Sequence, residues 1–235
     1  MLIFLTFTSY AEELTIITEN APPNSFIENG KLTGRTVEIV QATLKEIGLA
    51  GHSIKIYPWA RGYLMLSNKK NIALFATTRS AQREDLFKWA GPIMDNKINL
   101  YKLKSRKDIK VNLLEDIKKY MVGGAIGDVK SQYLEAKGIK LDKVSQDIQN
   151  IKKLFHGRLE IIPYASARLN YDVRSCGQNV NDMEEIFYVK EISKQLYVAF
   201  SKQTDDSIVK RFQLGFDKIR ENGTYEKIIQ EWKDR

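Results

Sequence analysis

Residues 13–48 read ELTIITENAPPNSFIENGKLTGRTVEIVQATLKEIG. The opening ELTIITE (13–19) is short and rich in β-branched residues, which suits a strand. Val37, Val40, Leu44 and Ile47 then recur at spacings of three, four and three. They share one face of an amphipathic helix, and Gly48 stops it. Working outward, SIKIY (53–57) and NIALFA (71–76) read as the next two strands, with a helix between them from about Ala60 to Leu66. The order βαβαβ is that of a doubly wound α/β sheet with helices on both faces.

Beyond KINLYKL (97–103) the pattern begins again. YMVGGAI (120–126) reads as a strand, 130–136 and 148–155 as helices, and RLEIIPY (158–164) and EIFYVK (185–190) as strands. QLYVAFS (195–201) is a strand whose natural partner lies back in the first unit. Val209, Phe212, Phe216 and Ile219 share a helix face that Asn222-Gly223 ends, and Thr224 is expected to cap a last helix holding Tyr225, Ile228 and Trp232. No Gly-, Ser- or Pro-rich tether separates the units. The expected architecture is two lobes, 12–98 plus 196–235 and an inserted 99–195, joined by crossings near 97–103 and 191–197. Two crossings make a hinge over a cleft, where small ligands bind.

At 235 residues the chain is long enough for one large domain or two small lobes. It is 43% apolar and 28% charged, which does not indicate disorder. Its net charge of +8 raises nucleic-acid binding, but no zinc spacing, RNP motif or basic heptad region accompanies it. A solvated basic surface is expected instead, with no nucleic-acid partner. Residues 1–11, MLIFLTFTSYA, are uncharged and end in a small-x-small pattern before Glu12, as the tail of a secretory signal would. A buried first strand is the alternative. One cysteine, Cys176, and two histidines, His52 and His156, argue against an internal disulfide, a zinc site or a thiol nucleophile. No metal or cofactor is expected. G-x-S-x-G, H-E-x-x-H, P-loop and G-x-G-x-x-G motifs are absent from the sequence.

TTRSAQREDLFKWAGPI (77–93) sets Arg79 and Arg83 four residues apart where a helix start is expected. A helix N-terminus is already electropositive, so cations there are unfavourable unless an anion shares the site. Arg83 therefore reads as an anion anchor, against a surface pair with Glu84 or Asp85. Arg79 reads equally as a second anion contact or as the partner of an acidic residue. Trp59 follows Pro58 at a strand end rather than on a periodic apolar face, so a stacking wall competes with plain core packing. Arg61 and Glu19 are ligand contacts or solvated ends. Gly127-Asp128 opens a helix, with Asp128 as its N-cap.

These stretches carry a resemblance. ITENAPPNSFIENGKLTGRTVEIV, SAQREDLFKWAGP and FDKIRENGTYEKIIQEW, in that order, resemble segments of the family 3 extracellular solute-binding proteins, and YPWAR (57–61) resembles a divergent branch with a P-W-x-R turn. The resemblance implies a type II periplasmic binding fold. It implies a monomeric periplasmic receptor, not an enzyme, that hands a small solute to the membrane permease of an ABC transporter. In amino-acid-binding members the arginine matching Arg83 pairs with the ligand carboxylate, aided by the hydroxyl matching Thr78. Trp59 would stack on the ligand and Glu19 would lie near its side chain. Gly127 and Val129 would offer backbone N–H groups, and the segment Tyr164 to Ser166 would close over it. One departure stands out: Ala165 falls where an aspartate holds the α-ammonium, and no acidic residue follows within five. A carboxylate lacking that ammonium, a peptide-like compound or another anion therefore fits better. The same fold also implies two alternatives, a ligand-sensing module and a dehydratase resembling cyclohexadienyl dehydratase. For the latter, Glu19 is the one carboxyl that can be placed in the cleft.

Overall fold

The first βαβαβ unit forms as its periodicity predicts, in a computed structural model that describes residues 14–232. The expected leader, 1–11, lies outside the described residues. Strand β1 (Thr15–Thr18) buries Ile16, Ile17 and Thr18. A short hairpin follows, β2 (Phe26–Glu28) and β3 (Lys31–Thr33), which is too brief and too exposed to show an alternating pattern. Gly34 then starts helix α1 (Arg35–Glu46) with φ 124°, and an added Cβ there would run into the Asn24 backbone. The close approach lets the Asn24 carbonyl accept from the Thr36 N–H, tying the loop to the helix start. Val37, Ile39, Val40 and Leu44 pack into one core with Ile16, Ala73 and Phe75. Strand β4 (Ile54–Ile56), helix α2 (Trp59–Asn68) and β5 (Ile72–Thr78) complete the unit, β1 pairing parallel with both β4 and β5.

Residues 79–86 depart from expectation. No helix starts there: they form tight turns, with Arg83 N–H to the Ser80 carbonyl and Leu86 N–H to the Arg83 carbonyl, and lead into β6 (Phe87–Asp95). Gly91-Pro92 forbids a continuing helix, and pairing with a distant strand claims the segment instead.

In the second lobe, β7 (Ile98–Leu103) is flanked by β10 (Ile162–Ala165) and β11 (Met183–Tyr188). Strands β8 (Val122–Ala125) and β9 (Leu141–Val144) pair in parallel, and a Val122–Ile161 bridge joins them to the lead-in of β10. Helices α3 (Val129–Ala136), α4 (Ile148–Phe155) and α5 (Ser166–Ser175) cover this lobe. Strand β12 (Gln195–Ser201) then returns between β5 and β6, antiparallel to both. The first sheet runs β4-β1-β5-β12-β6, and the second repeats that pattern as β9-β8, across the bridge, to β10-β7-β11. In each lobe the fourth strand is the one arriving from the other.

Helix α6 (Asp206–Glu221), capped by the Asp205 carboxylate on Ser207 N–H, buries Phe212, Phe216 and Ile219 in the first core. In α7 (Thr224–Glu231), Thr224 is the first helical residue rather than the cap; the Asn222 side chain accepts its N–H. The crossings are Asn96-Lys97 and Ser193-Lys194. They touch, with Asn96 N–H to the Lys194 carbonyl at 3.0 Å and Ile98 N–H to Ser193 Oγ at 2.9 Å. Among the described residues no helix is long and apolar enough to cross a membrane.

Candidate functional site

The cleft lies where the carboxyl ends of β1 and β5 meet the N-termini of α3 and α5, as α/β sheets favour. Arg83 stands at its centre, 1% exposed. Its Nη1 donates to the Thr78 carbonyl at 3.2 Å within its own lobe. Across the cleft, Nη2 donates to the Gly127 carbonyl at 2.7 Å and Nε to Gln132 Oε1 at 3.1 Å. The Tyr63 and Trp59 rings flank it, 4.9 and 5.6 Å from its central carbon. No carboxylate among the described residues stands within ion-pair distance. Burial pulls its pKa down from the usual arginine value, with the nearby Tyr63 hydroxyl and Asp128 charge opposing the shift. Such a cation is costly until an anion joins it.

Glu19, one residue beyond β1, faces Arg168 of α5 across the cleft at 3.4 Å. Burial pushes the Glu19 carboxyl up to about 7; Arg168 opposes the shift, and the Asp128 and Asp147 charges add to it. Arg168 also gives Nε and Nη2 to Asp172 Oδ2, both at 3.2 Å, and the Tyr164 hydroxyl donates to the same oxygen at 2.7 Å. Lys130 bridges Asp128 at 2.8 Å and Asp147 at 3.1 Å. Burial alone would lower its pKa, but those two carboxylates hold it above the ordinary lysine value.

Two cavities open here, sharing Glu19, Trp59 and Arg168. The smaller, about 50 Å³, lies against Arg83, Thr78, Val129 and Ala165. The larger, about 320 Å³, is walled by Phe26, Tyr57, Trp59 and Tyr171 and reached by Asp147 and Asp172.

Of the expected residues, Arg83, Thr78, Trp59, Glu19, Gly127 and Val129 come together. Gly127 presents its carbonyl to Arg83. Asp128 is the N-cap of α3, accepting from Lys130 N–H at 2.7 Å. The others lie elsewhere. Arg79 pairs with Glu84 and lies beside Tyr197 and Trp89, facing a separate groove, because the turn at 79–86 breaks the helical spacing that would align it with Arg83. Arg61 lies over the Tyr57 ring at 4.6 Å and reaches neither cavity. Tyr164 is fully buried behind the cleft, where it holds Asp172. Ser166 is engaged by Asn99 and the Lys97 carbonyl.

Sequence reasoning missed Arg168, Asp172, Asp147 and Lys130. The available signal was Arg168 and Asp172 four apart, with Leu169 and Val173 making the buried stripe of α5. Ala165 does occupy the strand end, yet acidic charge enters the cleft from α3, α4 and α5 instead. No group of three or more His, Cys, Asp or Glu suited to a metal occurs among the described residues.

The sequence profile of the bacterial extracellular solute-binding proteins, family 3, matches residues 14–235. The chain belongs to that family. No curated protein matches this family 3 protein in sequence. Similar solved structures include a histidine kinase sensor domain with similarity to periplasmic binding proteins, at 21% identity and TM-score 0.81, covering 93% of this chain and 95% of that one. An ancestral arginine-binding protein bound to arginine matches at 21% identity and TM-score 0.77, covering 93% and 97%. The arginine-, lysine-, histidine-binding protein ArtJ from Geobacillus stearothermophilus matches at 16% identity and TM-score 0.80, covering 95% and 96%. At these identities the likeness concerns the fold, and it extends over both lobes of the family 3 protein.

Proposed function

We propose that this solute-binding protein captures a small carboxylate-bearing solute, amino-acid-like or related, between its lobes and delivers it to the permease of an ABC transporter. The observation that supports this most is Arg83, buried with its donors on neutral oxygens and no carboxylate of the described residues within ion-pair distance. A ligand carboxylate would take the two parallel N–H groups of the guanidinium and supply the missing charge. Thr78 and Trp59 line the same space. Closure then follows from a ligand that touches both lobes. On this proposal the protein is a periplasmic monomer without a nucleic-acid partner, and it performs no catalysis.

A thermal-shift screen of carboxylic and amino acids, repeated on Arg83→Ala, tests the anchor. A carboxylate present at about 100 times its Kd should stabilise the native protein by about 2.7 kcal/mol, and that gain should vanish in the variant. Stabilisation that survives in Arg83→Ala would remove Arg83 from the site. The sensor-domain likeness favours a second reading, in which the same closure reports a solute to a signalling partner. Ligand-dependent binding to a permease, set against ligand-dependent activation of a kinase, separates the two.

A further inference from the structure

We propose that the open edge of β4 is a docking site for an extended segment of a partner protein, one whose side chains alternate between aliphatic and acidic. The proposal stands on the first sheet alone and holds whatever solute the cleft takes.

The two edges of that sheet, β4 and β6, differ. At β6, side chains of α6 and α7 take up backbone groups of the strand. Gly91 N–H donates to Gln213 Oε1 at 3.0 Å, Arg220 donates to the Pro92 carbonyl, and the Tyr225 hydroxyl donates to the Ile93 carbonyl at 2.9 Å. Covering an edge in this way removes it as a template for other chains. No such cover lies over β4. Tyr57 N–H reaches the Thr18 carbonyl of β1 at 2.9 Å, so by the two-residue period Lys55 also turns its backbone groups toward β1. Ile54 and Ile56 therefore turn theirs outward. Both N–H groups and both carbonyls lack a partner among the described residues.

The flanks of β4 say what kind of chain would fit. Ile54 and Ile56 point to one face, where with Asn20, Ile27 and Leu32 they line a groove of about 430 Å³ that contains no charged residue. Ile27 is 56% exposed there. Lys55 and Tyr57 point to the other face, onto a hollow of about 650 Å³ lined by Lys55, Lys69 and Lys70 and by no carboxylate. Among the described residues none of these lysines is in an ion pair. A strand added to β4 continues the pleat, so its side chains opposite Ile54 and Ile56 enter the apolar groove and the alternate ones lie beside the lysines. Backbone hydrogen bonds then hold the segment, and the two unlike faces select its sequence.

A second copy of this chain fits the edge poorly. Antiparallel pairing of two β4 strands about Lys55 sets Lys55 against Lys55 in a non-hydrogen-bonded pair, where side chains come closest and like charges repel.

The test is fluorescence anisotropy of a short labelled peptide of alternating valine and glutamate, titrated with the whole chain. That peptide is expected to bind, and its counterpart with lysine in place of glutamate is not. Lys55→Glu alters an exposed side chain outside the ligand cavities and should weaken binding about tenfold. Two N-methylated peptides examine the backbone. Methylation at valine removes the donors that an antiparallel added strand would use, and methylation at glutamate those of a parallel one. One of the two should abolish binding and the other should spare it. Amide hydrogen exchange should slow at Ile54 and Ile56 when the peptide binds and stay unchanged at Lys55. The proposal is overturned if the valine–glutamate peptide does not bind, if both methylated peptides bind alike, if Lys55→Glu binds undiminished, or if exchange at Ile54 and Ile56 does not respond. It is also overturned if light scattering shows a dimer in which those two amides are already protected without peptide, which would give the edge to a second copy.

Discussion

Arg83 sits in the cleft as a fork with its prongs resting on carbonyl oxygens of both lobes. Arg83→Lys keeps the charge but loses the fork, so carboxylate affinity should fall at least tenfold, about 1.4 kcal/mol, in a direct titration. Glu19 supports a prediction with a definite sign. Its pKa rises from 4.5 to about 7 on folding, so between those values the folded chain holds a proton that the unfolded chain has lost. Wild-type stability should therefore fall as pH rises from 4.5 to 7 and level off above. Arg168, Asp128, Asp147 and Lys130 surround Glu19, and Glu19→Gln should flatten that slope while leaving them in place. Urea midpoints of both proteins across pH 4.5 to 8 measure it. Tyr164→Phe leaves the buried Asp172 with one donor fewer, and should cost about 1–3 kcal/mol in the same assay.

At the scale of elements, the turn before α3 couples the lobes most directly. Gly127 has φ +70°, and an added Cβ would meet the Tyr63 ring of the other lobe at 3.1 Å. Gly127→Ala should thus strain the turn and hold the lobes apart, costing the ligand-free protein about 1–2 kcal/mol in a melting or urea assay and weakening ligand binding beyond that loss. How far the sequence could be read follows from the same local forces. Val37, Val40 and Leu44 repeat along α1 and bury one face, so both the helix and its orientation were legible. Strand β6 was not, because its partner β12 lies a hundred residues away and Phe87, Ala90 and Ile93 recur every three residues rather than every two. Helix α5 was hidden by its polar surface, and with it the Arg168–Asp172 pair. Trp59 could be singled out because it stood off any periodic apolar face, whereas Arg83 was reached through an expected helix start that the turns at 79–86 replace. Glu19 could be placed beside them, but its cross-cleft partner could not, since no spacing relates β1 to α5.

For the whole molecule, the paired crossings at Asn96 and Lys194 define one bend between two packed bodies. Ligand should shrink the radius of gyration in small-angle scattering for wild type and leave Arg83→Ala unchanged. Strand β12 carries a different consequence. It lies between β5 and β6, and among the described residues β6 has no other partner in the sheet. A chain made from its N-terminus therefore cannot close its first sheet until residue 201 has emerged, whereas the second sheet has all its strands by residue 188. The lobe encoded in the middle of the chain is free to fold first, and the one that begins the chain must wait for its end.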